Sequence, residues 1–106
     1  MPLPLVKTGT FTAAGASPTT IRPLPSADGL TRFNVTLVGT FVATVALERL
    51  LPGETTWAPV ASDSYGGTTS MSAPVSFMVM DPEAGVIYRL NCTSWTSGTV
   101  NWRMSQ

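Results

Sequence analysis

At 106 residues the chain is long enough for one domain with a single modest core. Only 11% of it is charged, six acidic against six basic residues with a formal net charge of zero, where ordinary globular domains carry about 25%. That excludes a basic stripe for nucleic acid or an anionic membrane surface, and the absence of histidine removes the commonest general acid–base and metal ligand. So little charge leaves a free monomer poorly protected against self-association, which points to an assembly component whose surface partners cover.

The first 32 residues differ from the rest. Pro2, Pro4, Pro18, Pro23 and Pro25 lie here, around the small, featureless run Ala13-Ala14-Gly15-Ala16-Ser17. Proline lacks a ladder donor and favours edge strands or extended segments. Residues 1–32 read as an extended arm, with short extended pieces at Leu5–Thr12 and Thr19–Leu24. The arm is expected to cross the edge of the folded domain or to reach a neighbouring subunit. Leu3, Leu5, Val6 and Phe11 are apolar material that such an arm must bury against something.

Residues 33–106 form the domain proper. In Arg32–Val38 the residues Phe33, Val35 and Leu37 alternate onto one face. Gly39 separates this strand from the longest one, where Phe41, Ala43, Val45 and Leu47 fall opposite Val42, Thr44, Ala46 and Glu48. Successive side chains of a strand point to opposite faces, so each first set can line a core. Pro52-Gly53 predicts a hairpin into Trp57–Ser62, which Pro59 demotes to an edge. Ser64–Ser70 reads as a polar loop around Gly66-Gly67. Ala73–Met80 alternates next, Asp81–Gly85 is a turn with solvated acids, and Val86–Thr93 is a strand that Ser97-Gly98 turns into Thr99–Ser105. No stretch carries a helical period. The expected fold is all-β: an antiparallel two-sheet sandwich or small jelly roll with an extended N-terminal arm.

Candidate chemistry is sparse, and the expectation is a protein that is not an enzyme, with no metal and no cofactor. Cys92 shares a face with Tyr88 and Leu90 and reads as a small buried apolar residue, since a buried thiol without a base is inert. A single cysteine makes no internal disulfide, which suggests folding in a reducing cytoplasm. Neither a leader-like apolar block nor a run of ~18 apolar residues is present, so neither secretion nor a membrane partner is expected. Glu48-Arg49 reads as a rim or cross-strand ion pair. Pro82 limits convergence of Asp81 and Glu83 on a cation. Arg89 and Arg103, with Asn91 and Asn101, lie opposite the apolar sets of the last two strands and would form one polar strip on an outer face, suited to a protein interface or simply to solvent. Trp95 is a candidate interface anchor or sugar-stacking platform, and Trp57 and Tyr65 are weaker candidates for stacking.

Residues 33–106 also resemble a family of small virion proteins of tailed bacteriophages. The resemblance is carried by Phe33-Asn34-Val35-Thr36-Leu37, by Gly39 through Arg49, by Thr56-Trp57, by Glu83 through Thr93, and by Ser97 through Gln106. The hairpin tip departs from it: family members often have Ser-Phe-Asp-Gly-Gly where this chain has Leu50-Leu51-Pro52-Gly53-Glu54. The resemblance implies a virion structural role, most closely a capsid decoration or cement protein on the outer surface of the shell. It implies the major capsid protein as partner and a homotrimer as the bound form. The interface residues expected are Leu3, Leu5, Val6, Phe11, Arg89, Trp95 and Arg103. A head fibre, tail or baseplate component is the alternative position, and a carbohydrate-binding module the alternative function.

Overall fold

Nine strands make up the regular structure of residues 5–60 and 70–106, which the computed structural model describes; Leu3, Tyr65 and the expected loop Ser64–Ser70 up to residue 69 lie outside them, while Ser70 opens a short strand. They are β1 (Val6–Phe11), β2 (Gly15–Ala16), β3 (Thr31–Val38), β4 (Phe41–Leu50), β5 (Ala58–Pro59), β6 (Ser70–Met71), β7 (Val75–Asp81), β8 (Ile87–Gly98) and β9 (Val100–Ser105). A first sheet has the order β1-β9-β3-β7, and a second β2-β8-β4-β5 with β6 also on β4. Every pairing is antiparallel. The fold is the all-β two-sheet sandwich that the alternation predicts.

Two bent ribbons organise it. β3 pairs with β9 in the first sheet, while their direct continuations β4 and β8 pair in the second. The chain therefore switches sheets at Gly39-Thr40 and again at Thr99, as strands do where bends make the corners of a sandwich. At Gly98 the chain takes φ 86°, and a Cβ there would lie 2.2 Å from the Thr40 carbonyl oxygen. Only glycine allows that approach. The Thr99 N–H then donates to the Thr40 carbonyl at 3.1 Å, tying the two corners together. Ser97-Gly98 thus does not make the expected hairpin; it carries the chain from one sheet to the other.

The core follows the alternation. Val35, Leu37, Val45, Leu47, Leu90, Val100 and Met104 are fully buried between the sheets, each contributing about 1.5–3 kcal/mol of transfer free energy. Burial fades along β7, from Val79 inside to Val75 at 36% exposed. In β8 the register shifts twice against β4, between Val42 and Ala43 and between Thr44 and Val45. Thr96 and Thr93 are the extra residues, and β8 is exposed from Thr93 to Gly98.

The arm lies on the sandwich itself. β1 is an edge strand of the first sheet, paired with β9 from Val6↔Ser105 to Phe11↔Val100. The chain then crosses to the edge of the second sheet, where β2 pairs with β8 and Ile21 exchanges backbone hydrogen bonds with Tyr88 at 2.9 and 2.8 Å. Phe11 and Ile21 belong to the same core as β3–β9. Gly9 is required by its partner: a Cβ would lie 2.5 Å from the Trp102 indole. Gln106 secures the crossing. Its N–H donates to the Leu5 carbonyl at 2.8 Å, and its side-chain amide donates to the carbonyls of Leu24 and Arg32 while accepting from the Leu24 N–H.

Candidate functional site

On the outer face of the second sheet, Glu48 of β4 stands opposite Arg89 of β8, with Asn91 one step along. Alternation turns all three outward because Leu47, Leu90 and Cys92 turn in. One Glu48 carboxylate oxygen accepts from Arg89 Nε at 2.8 Å and the other from Asn91 Nδ2 at 3.0 Å. The Arg89 guanidinium lies over the Trp57 ring, 4.3 Å from its centroid, a cation–π contact worth about 0.5–2 kcal/mol. Glu48 and Arg49, expected as a rim or cross-strand pair, take separate partners: the cross-strand pair is Glu48 with Arg89. A half-buried tryptophan flanked by guanidinium, carboxylate and amide has the group types that hold a sugar, but here the polar groups already satisfy one another.

Arg49 points the other way, sharing the inward parity of Val45 and Leu47. Its Nη1 donates to Asp81 Oδ2 at 2.9 Å. The same oxygen accepts a short hydrogen bond from the Tyr88 hydroxyl, and Asp81 Oδ1 accepts from the Glu83 N–H at 2.9 Å. The three side chains bridge β4 and β8 of the second sheet to β7 of the first. Burial pushes the Asp81 carboxyl up, but the donors on Tyr88, Glu83 and Arg49 outweigh it and hold the group below its ordinary value. Tyr88 is pushed well above its ordinary value, first by burial and then by its bond to Asp81. The expected turn of solvated acids is therefore corrected: Glu83 is exposed, whereas Asp81 is 5% exposed and wholly engaged. The signal was available, since Asp81 shares the parity of Phe77 and Val79, and Tyr88 that of Leu90.

The outer face of the first sheet is different in kind. One row across its four strands reads Thr8, Arg103, Thr36, Ser76, and the next reads Thr10, Asn101, Val38. Thr36 Oγ1 and Ser76 Oγ hydrogen-bond at 2.9 Å. A shallow groove of about 380 Å³ runs along Thr8, Thr10, Thr36, Asn101 and Arg103. Arg32, Arg49 and Arg89 each hold a carboxylate, but among the described residues Arg103 holds none. The structure also separates Arg89 from Arg103. They lie on opposite outer faces, because β8 and β9 belong to different sheets, so the single polar strip expected of them does not exist.

The other expected interface residues are scattered. Val6 is 39% exposed on β1, Leu5 is half-buried against the core, and Phe11 is 6% exposed inside it, tilted against Trp102 at 6.3 Å. Phe11 is thus a core residue of its own domain, and an external partner does not reach it. Trp95, 37% exposed, sits beside the β8 bulges and donates from Nε1 to the Gly98 carbonyl at 3.1 Å. The Cys92 thiol is buried, which pushes its pKa up, and donates to the Ser94 carbonyl at 3.3 Å. Among the described residues no three His, Cys, Asp or Glu side chains converge as a metal site would need, and no helix is long and apolar enough to cross a membrane. No protein-family model, curated protein or solved structure matches the chain.

Proposed function

We propose that this protein is a non-enzymatic structural component of a tailed-bacteriophage virion, a capsid decoration (cement) protein that binds the assembled coat-protein shell from outside and stabilises it. The observation that carries the reading is the outer face of the first sheet. It is a four-strand surface on which hydroxyls and amides (Thr8, Thr10, Asn34, Thr36, Ser76, Asn101) mix with Val6, Val38 and Met78, and of its two guanidiniums Arg32 holds Asp28 while Arg103 holds no carboxylate among the described residues. A face of that kind suits a broad protein contact, where short polar side chains lose little entropy and one arginine gives bidentate bonding. The low charge of the chain and the resemblance over residues 33–106 support the same reading. A head fibre, tail or baseplate position would use the same surface on a different neighbour.

Purified protein added to purified shells that lack it tests the proposal. Saturable decoration and a higher shell rupture temperature are expected. Failure to bind shells, with binding to tails instead, would move the protein to the alternative position. The cluster of Trp57, Arg89, Glu48 and Asn91 has the group types of a second reading, a carbohydrate-binding surface, in which a sugar would have to replace the bonds these groups make to one another. Binding on a glycan array that Trp57→Ala abolishes would establish it.

A further inference from the structure

We infer that the groove around Arg103, on the outer face of the first sheet, receives a single carboxylate carried on a protein segment with apolar residues beside it. The inference deepens the proposed function and rests on it only for the source of that segment, the coat protein. The outward positions of β1, β9, β3 and β7 include no acidic residue. They include two guanidiniums, Arg32 and Arg103. Asp28 holds Arg32 at 2.6 Å, whereas Arg103 is exposed and holds no carboxylate among the described residues. A chain of zero formal net charge thus keeps one unbalanced positive charge on this face.

The surroundings of Arg103 suit one oxyanion. Thr8 and Thr36 stand directly opposite it on the two neighbouring strands, where the Cβ atoms of paired residues lie about 4.5–5.5 Å apart. Both hydroxyls can donate to a carboxylate that the guanidinium grips bidentately. Thr36 Oγ1 lies 2.9 Å from Ser76 Oγ, so with Ser76 as donor the Thr36 hydrogen is free to turn to the groove. Asn101 lines the same groove of about 380 Å³ and adds an amide donor. Arg22 is exposed as well but lies outside the strands, with no ladder of hydroxyls across from it.

Charge decides between occupants. A phosphate group carries about two negative charges, and a nucleic-acid backbone repeats its charge along the chain, so both call for several cations. The groove offers one. Lys7 pairs with Met104 and has the inward parity of β1, so it does not join this face. One guanidinium matches one carboxylate both in charge and in its planar fork. Val38, 51% exposed, lines the groove, and Val6, 39% exposed, lies on the same face. Apolar side chains flanking the carboxylate would cover both, which favours a protein segment over a free small acid.

NMR titration of the full chain and a binding cycle on purified shells test the inference. Acetyl-Val-Glu-Val-amide is expected to shift the Arg103 Nε, Thr8 and Thr36 signals. Acetyl-Val-Gln-Val-amide is expected to leave them in place, as is either probe with Arg103→Gln. On shells, amidating the surface carboxylates is expected to lower wild-type affinity at least about tenfold. The same treatment should cost Arg103→Gln nothing further, and Arg22→Gln should behave as the wild type. Thermal melting checks that both variants are folded. No shift at Arg103 with the glutamate probe overturns the inference. So does an equal loss, or none, for wild type and Arg103→Gln on amidated shells. A wild type heavier in light scattering than Arg103→Gln also overturns it, because the occupant would then be a second copy. Shifts at Arg103 without any binding to shells would refute the decoration reading alone and leave the carboxylate site standing.

Discussion

The two ends of the sandwich close the gap between the sheets by different means. At one end the backbone itself crosses twice, and Gly39, Thr40, Gly98 and Thr99 press the two crossings together. At the other end side chains close it, with Asp81 of the first sheet held by Arg49 and Tyr88 of the second. A backbone corner has nothing that titrates and tolerates no added atom. A polar clasp tolerates changes of shape but depends on protonation and on every partner being present. The same molecule should therefore fail sterically at one end and by pH at the other.

The largest effect is expected at the corner. Gly98→Ala puts a Cβ against Thr40 in a backbone conformation that non-glycine residues rarely adopt, and should cost about 3–5 kcal/mol in a denaturant titration, equally at all pH values. Asp81→Ala comes next, at about 2–3 kcal/mol, because Arg49 and the Tyr88 hydroxyl lose their acceptor. The lower part of the usual range applies, since Arg49 is 36% exposed and solvent screens its share. Tyr88→Phe removes one buried hydrogen bond and keeps the ring on Phe33, so about 1–2 kcal/mol is expected. Were Gly98→Ala and Asp81→Ala to show the same pH dependence, the distinction between the two ends would fail.

The pH profile sharpens the contrast. Asp81 is held below its ordinary value of 3.8, so its contribution is complete above that pH and is lost as pH falls through the lower folded value. Tyr88 is raised above its ordinary 10.0, so its contribution is complete below that pH and is lost as pH rises beyond it. Thermal melting should therefore weaken on both flanks. Asp81→Asn should flatten the acid flank and Tyr88→Phe the alkaline one. Flanks unchanged in both variants would place the titrating groups elsewhere.

Most of the strand architecture was legible because burial imposes period two: β3, β4, β8 and β9 carry their apolar residues on the faces expected of them. Sheet membership was not legible. Alternation separates inside from outside but does not say which sheet a strand joins, so the glycine corner at Gly98 read as a hairpin and Arg89 and Arg103 were placed on one face. The arm was hard to read for a different reason. Its prolines and small residues hide the pattern, and the core role of Phe11 and Ile21 shows only once β9 and β8 lie beside them. The bulges at Thr93 and Thr96 fall where both faces of β8 are exposed, which leaves no apolar contrast to betray a slip in register. The clasp could have been found by parity alone.

The direct test of the functional account is the affinity for purified shells of the wild type, Arg103→Glu and Trp57→Ala, each checked first for an unchanged melting temperature. The account predicts that Arg103→Glu lowers shell affinity at least about tenfold, the scale of one charge-assisted contact, and that Trp57→Ala binds as the wild type does. Full binding by Arg103→Glu, with loss in Trp57→Ala, would contradict it and put the binding surface on the second sheet.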